Sequence, residues 1–404
     1  MQLVEQTVLR KGDPRYDIID GAAFAAKNLY NAALYEVRQA FIFGHRYMGY
    51  TEVYHCMKTH EAYRALPAKV AQQVMRLLDK NWKSYFEACK AYKEHPEQFL
   101  GHPQLPKYKD KVKGRNILIY TLQALSKPAL KRGMIVPSGL SIEIPTTHMM
   151  IDQVRIVPRA SCYVVEVIYE QEVLQEEQDP TLYAAIDIGL NNLATLTSNK
   201  VGFVPRLVNG RPLKNVNQVY NKERARLISA LMKEDARRRT SRRLEQLTAK
   251  RNRRVTHYLH TASRWIVNLL VAEGIGTLII GKNVNWKQDA NMGKRNNQNF
   301  VCIPHARFIE MFTYKCELVG IQVILTEESY TSKCSFLDNE PIGKHKQYLG
   351  KRVKRGLFSS ADGHCYNADV NGSYNILRKV VPDAFAQGDS GCCVVHPMRL
   401  AIGA

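Results

Sequence analysis

Five short apolar runs in the second half of the chain constrain its fold more than any other feature. YAAID (183–187), NLATLTS (192–198), VGFVPRLV (201–208), TLIIG (277–281) and QVILT (322–326) have strand length and are too short for stable helices. A long helical region follows the third run, a helix at 304–319 separates the fourth and fifth, and a short helix at about 370–379 comes last. Between the fifth run and that helix lies a loop-rich stretch, 329–366. The predicted order is three strands, helix, strand, helix, strand, insertion, helix.

The first half has a different pattern. A strand is predicted at 3–11 and a helix at 21–46, where Phe24, Leu29, Ala33, Val37 and Phe41 mark an apolar face. Further helices are expected at 51–66 and, starting after Pro67, at 68–92. Beyond the Pro-, Gly- and Lys-rich HPEQFLGHPQLPKYKDK come β-branched runs at 117–121, 134–137, 140–145, 154–158 and 162–169. An acidic linker at 170–180 marks the expected main boundary. The fold class is therefore α+β and multidomain: a helical block, a β-rich module and a C-terminal α/β domain with a small loop-rich insertion.

Composition narrows the function. With 58 Lys plus Arg against 37 Asp plus Glu, the formal charge is +21, which calls for a polyanionic partner. Residues 222–254 alone carry thirteen bases and four acids. A solvated helix face ordinarily mixes signs, so Arg237, Arg238, Arg239, Arg242, Arg243, Lys250, Arg251, Arg253 and Arg254 are expected to contact a nucleic-acid backbone. A second basic group, Lys344, Lys346, Lys351, Arg352, Lys354 and Arg355, is interleaved with Tyr348 and Phe358, which suits an unpaired strand. No run approaches the 18 or so apolar residues of a membrane span, and the N-terminus lacks the apolar middle of a signal peptide. The nine cysteines form no CxxC pair and suggest no disulfide framework, so a reducing compartment is expected.

Asp187 ends an apolar run, Glu327 and Glu328 follow another, and Asp369 opens the last helix. Acids at strand ends can converge on one site and bind divalent ions through oxygen. Singly, each has a simpler reading, because Asp after a strand is a common turn former and Asp near a helix start a common cap. Their shared position at the edges of one domain favours a joint site.

The strings AAIDIGLNNLATL, EESYTSKCS and NADVNGSYNI resemble the three nuclease segments of the TnpB proteins of insertion sequences. KNLYNAALYEVRQAF and LPKYKDKVKGRN are similar to that family's recognition helices and wedge module. The resemblance covers nearly the whole chain. It implies a wedge module at 1–20 and 107–180, a helical recognition domain at 21–106, and an RNase H-like (RuvC) nuclease domain at 181–328 and 367–385. A target-strand-loading insertion would span 329–366 and a C-terminal tail 386–404. The implied activity is Mg²⁺-dependent, RNA-guided DNA cleavage, with guide RNA and double-stranded DNA as partners and two Mg²⁺ ions as cofactors. A monomeric ribonucleoprotein in the prokaryotic cytosol, nucleoid-associated when bound to DNA, is the matching expectation.

The chain departs from the family pattern twice. Most relatives carry an acid at the end of the second nuclease strand, in a string like IVIEDLNV, whereas this chain reads LIIGKNVNWK, with Gly281 or Lys282 at that place. Either the site is dead and the protein is an RNA-guided repressor, or the acid has moved to the next strand. The survival of both aspartates favours the move. Resemblance to a variant reading Glu-x-Tyr-Thr-Ser assigns Glu328 as metal ligand with Asp187 and Asp369, leaving Glu327 as the runner-up. Neighbouring strands lie about 4.8 Å apart, within a glutamate's reach. Secondly, relatives often hold zinc through two Cys pairs in the insertion. Here only Cys334 and Cys365 remain, with His345 and His364 nearby in sequence, and zinc is not expected. A transposase acting on DNA without a guide is a third reading, disfavoured by the front half.

Overall fold

The computed structural model describes residues 1–173, 178–235, 237, 239–283, 301–385, 395–400 and 402. It divides into two compact units, Met1–Gln171 and Glu172–Ala404. Among the described residues, no helix is long and apolar enough to cross a membrane.

The first unit opens with β1 (Gln2–Arg10), followed by α1 (Tyr16–Ile42), α2 (Tyr50–Met57), α3 (Glu61–Arg64) and α4 (Ala68–Glu94). The single helix expected at 51–66 is broken at 58–60. The cause is local: the His60 ring accepts a hydrogen bond from the Ala62 N–H and caps a new helical turn. Next come β2 (Leu118–Thr121), α5 (Lys127–Leu130), β3 (Met134–Ile135), β4 (Ile144–Pro145), β5 (Gln153–Arg159) and β6 (Cys162–Glu170). The main sheet has the order β1-β6-β5-β2 and is antiparallel throughout. Helices and sheet share one core: Leu29, Leu34, Val70 and Trp82 pack in the same apolar cluster as Tyr120, Val154 and Val165. The helical and β segments of this half are thus one body.

The second unit is built on β7 (Asp179–Asp187), β8 (Asn192–Ser198), β9 (Arg206–Asn209), β10 (Ile275–Gly281) and β11 (Gln322–Thr326). The strand expected at 201–208 is shorter because Gly202 turns the chain with a positive φ of 75°. The long helical region is two helices, α6 (Arg211–Glu234) and α7 (Arg242–Ala272). Ser241 Oγ accepts from the Leu244 N–H and starts the second. Arg237 and Arg239 consequently lie in a connection rather than on a helix, and Arg238 lies outside the described residues. Then follow α8 (His305–Glu317), a small antiparallel sheet within the insertion made of β12 (Lys351–Lys354), β13 (Leu357–Ser359) and β14 (Cys365–Asn367), and α9 (Ala368–Val380). The expected tail supplies β15 (Met398–Leu400), which pairs in parallel with β9.

The sheet order is β11-β10-β7-β8-β9-β15. β7, β10 and β11 are parallel to one another, and β7–β8–β9 is the antiparallel meander. Alternation along the strands sends Ala184, Ile186, Leu278 and Ile280 to one face, where Leu259, Ile266, Phe308 and Phe312 of α7 and α8 cover them. Ala185 and Ile279 face the other way, against Ile376 and Leu377 of α9. This two-sided burial explains why the strands are almost continuously apolar.

Candidate active site

Three parallel strands deliver their C-terminal ends along one edge of the sheet. Ile186 pairs with Ile280 and Gly281 with Thr326, so Asp187 comes next to Gly281 and the residues after Thr326 continue past both. Asp187 and Gly281 share the parity of Ala185 and Ile279, and so belong to the face covered by α9. Along β11, Ile324 packs on that face, and the same parity continues through Thr326 to Glu328.

The two glutamates after β11 sit in different surroundings. A Cβ placed on Gly281 would lie 2.6 Å from Cγ of Glu328 and would also meet its Oε1. Glu328 therefore occupies the volume that a side chain at position 281 would need. Its Oε2 accepts from Asn283 Nδ2 at 3.3 Å, while its Oε1 is buried with no hydrogen-bond partner. Glu327 is instead exposed at the rim, 3.8 Å from the Lys379 ammonium.

Asp369 reaches the same edge from α9. Asn367 caps that helix, its Oδ1 accepting from the N–H groups of Asp369 (2.9 Å) and Val370 (3.1 Å). The polar residues of NADVNGSYN after Asp369 bond to the strands and to the insertion. Ser373 Oγ donates into the strands, lying 2.9 Å from the Ala185 carbonyl and 3.0 Å from that of Thr195. Asn371 donates to the Cys334 carbonyl and accepts from the Phe336 N–H, tying the insertion to the helix. Gly372 lets the helix approach β7, since a Cβ there would stand 2.8 Å from Asp187 Oδ2.

The electrostatics are those of acids without enough counter-charge. Burial pushes the Asp187 carboxyl well above the usual carboxylate range; the negative charges of Glu328 and Asp369 push it the same way, and Arg352 partly offsets them. Burial raises Glu328 to about 7. Asp369 is held by Asn192 Nδ2 at 2.7 Å and by Arg352 Nη2 at 3.3 Å. Among the described residues, no three His, Cys, Asp or Glu side chains are already drawn to metal-ligand spacing. The donor set nevertheless fits a divalent ion: oxygen ligands only, an orphaned carboxylate oxygen, and mutually repelling acids that a cation would relieve.

Asp187 and Asp369 line a cleft of about 500 Å³, whose wall also carries Arg211, Arg352, Arg355 and Arg399. Arg211 and Arg399 were not singled out from sequence, because nothing local marks the start of α6 or a three-residue edge strand as part of a site. Of the other expected basic contacts, Arg237, Arg242, Arg243, Lys250, Arg253, Arg254, Lys351 and Lys354 are exposed. Arg251 differs. Its Nε donates to Asn217 Oδ1 at 2.7 Å and its Nη2 to the Cys302 carbonyl at 2.6 Å, so it braces α7 against its neighbours. Cys334 is buried with its thiol 3.7 Å from the Gly343 carbonyl, Cys365 is exposed on β14, and His345 Nε2 contacts the Pro341 carbonyl.

Comparison with known proteins adds to this geometry. The OrfB_IS605 family profile, described as a probable transposase, matches residues 163–287, and that of the Cas12f1-like TNB domain matches residues 305–376. The TnpB-like protein ORF457 of Acidianus two-tailed virus is 23% identical over 391 residues, covering 87% of this chain and 81% of its own. The CRISPR-associated endodeoxyribonuclease Cas12f1 of Sulfoacidibacillus thermotolerans is 32% identical over 119 residues, 29% of this chain and 25% of its own. Among solved structures, Cas12f1 in its complex with sgRNA and target DNA matches with a TM-score of 0.52 at 15% identity, over 89% of this chain and 82% of that one. The mini-RNA-guided endonuclease CRISPR-Cas_phi3 matches with 0.51 at 10% identity, over 94% and 92%. At such identities the structural likeness establishes a shared fold.

Proposed function

Because the chain belongs to the TnpB family, we propose that it is an RNA-guided DNA endonuclease of an insertion sequence. A guide RNA from the transposon end selects the target by base pairing, and the protein recognises a short flanking motif and the shape of the heteroduplex. The observation that carries an active nuclease, rather than a guided binder, is Glu328 filling the space over Gly281 beside Asp187.

In this reading Asp187, Glu328 and Asp369 would hold two Mg²⁺ ions. When bound, these would supply an activated water and stabilise the departing 3′ oxygen. The remaining work belongs to the chain itself. Asn192 fixes the orientation of Asp369, and Gly372 lets α9 close on Asp187 without displacing its carboxylate. Arg211, Arg355 and Arg399 offer guanidinium groups to phosphate in the cleft, and Arg352 carries the counter-charge nearest Asp369.

The test uses the purified ribonucleoprotein with matched plasmid DNA. Cleavage is expected with Mg²⁺ and not with EDTA. Asp187→Ala and Glu328→Ala should each lower it by at least about 10³-fold while leaving guide and target binding intact. An intact plasmid with the wild-type protein would instead support a nuclease-dead repressor, and RNase-insensitive cutting would support a transposase.

A further inference from the structure

We infer that Asn283 is a positioning residue that holds Glu328 in the seat left open by Gly281. This rests on Glu328 being the third acid of the nuclease site. Gly281 and Asn283 are two residues apart at the end of β10, and the Lys282 N–H continues the ladder to the Thr326 carbonyl at 2.7 Å. Asn283 is thereby carried alongside the segment that follows β11. Its carboxamide then grips Glu328 at both ends. Oδ1 accepts from the Glu328 backbone N–H at 2.9 Å, and Nδ2 donates to Oε2 at 3.3 Å.

The arrangement solves a problem created by moving the acid. A glutamate reaching across from the neighbouring strand has three side-chain torsions to fix, and without an anchor its carboxylate would swing to solvent. The amide supplies that anchor and uses only one carboxylate oxygen. The other, Oε1, stays buried and unpartnered on the Gly281 side. An acid at 283 would add a like charge beside Glu328, and an apolar residue would leave both contacts unmade. Glycine at 281 and asparagine at 283 are thus two parts of one adaptation: the first vacates the seat, the second secures its new occupant.

The experiment compares ribonucleoproteins carrying the wild-type chain, Asn283→Ala, Glu328→Ala, the double variant Gly281→Glu/Glu328→Ala, and that double variant with Asn283→Ala added. Mn²⁺ affinity is read by calorimetry, target-DNA affinity by mobility shift, and cleavage as a function of Mg²⁺. Asn283→Ala is expected to weaken Mn²⁺ binding and raise the Mg²⁺ needed for half-maximal cleavage by about tenfold, with target-DNA affinity within about twofold of wild type. Returning the acid to position 281 should recover cleavage lost in Glu328→Ala, and the added Asn283→Ala should then cost less than about twofold. Should Asn283→Ala lower the melting temperature, isosteric Asn283→Asp gives the same reading, with at least as large a loss of Mn²⁺ affinity. Unchanged Mn²⁺ affinity in Asn283→Ala overturns the inference, as does an equal cost of that change when the acid sits at 281. If Glu328→Ala binds Mn²⁺ and cuts like wild type, the reading of the site itself fails, and the positioning role with it.

Discussion

Gly372 and Lys315 show how single residues here trade stability against placement. Replacing Gly372 by Ala should favour α9 by about 1 kcal/mol through helix propensity, yet the new methyl would meet Asp187 Oδ2 at 2.8 Å. The expected result is at least a tenfold loss of cleavage with little change in melting temperature, measured on the same preparation. Lys315 makes the opposite case. It is buried in α8, donating to the His260 carbonyl at 2.8 Å and to Ser263 Oγ at 2.6 Å, and burial pushes its pKa down to about 8. An unfolded chain holds that proton to about 10.4, so between the two values the unfolded state binds more protons and stability rises with pH. Below about 8 the buried charge is carried at full cost. Lys315→Met should therefore stabilise the protein by on the order of 1–3 kcal/mol at pH 7. Thermal melts should show that gap closing as pH approaches 10. The sequence displays Asp187 and Asp369 because acids at the ends of apolar runs stand out. It hides Gly372 and Asn283, whose meaning lies in what approaches them from elsewhere.

At the scale of elements, α9 is the piece that joins the acids to the insertion. Its position was legible from NADVNGSYN, but the reason for so many polar residues was not, since Asn371, Ser373 and Asn375 are fully buried and look unsuitable for a core helix. They are there because one side of the helix meets strand and loop backbone, along with the hydroxyls of Thr197 and Tyr366. Asn375 Nδ2 donates to the carbonyls of Thr331 and Cys334, and Arg378 reaches Asn339 and the Glu340 carbonyl, so positions 371, 375 and 378 clamp the start of the insertion. Asn371→Ala would take the acceptor from the buried Phe336 N–H and from the Tyr366 hydroxyl, which donates to Asn371 Oδ1 at 2.6 Å, with an expected cost of about 2–4 kcal/mol. Limited proteolysis should then cut within 338–364 well before the sheet core is attacked; resistance equal to wild type would show that the clamp is not what holds the insertion. The break between α6 and α7 makes the complementary point. Thirteen bases in 33 residues looked like one helix, whereas the cap at Ser241 divides them.

The whole molecule's excess of 21 positive charges was the most general signal in the sequence and the least specific in its assignment. Charge counting could not separate arginines that face outward from one that braces the fold, because both look alike in a basic run. The structure separates them within a single turn of α7: Arg253 and Arg254 are exposed, and Arg251 is committed to Asn217 and Cys302. Their substitutions should fail in different ways. For a phosphate contact, removing one charge lowers the slope of log K against log salt by about 0.7–0.9 and weakens binding at low salt most. Arg253→Gln and Arg254→Gln are therefore expected to flatten the salt dependence of guide-RNA binding without changing the melting temperature. Arg251→Gln should leave that slope within error of wild type and instead destabilise the second unit by about 1–3 kcal/mol, because two part-buried acceptors, Asn217 Oδ1 and the Cys302 carbonyl, lose their donor. Salt titrations of RNA binding, set beside thermal melts of the same three variants, distinguish the roles. If all three flatten the slope alike, the outward and inward arginines are not functionally distinct, and the positive charge acts as a diffuse field.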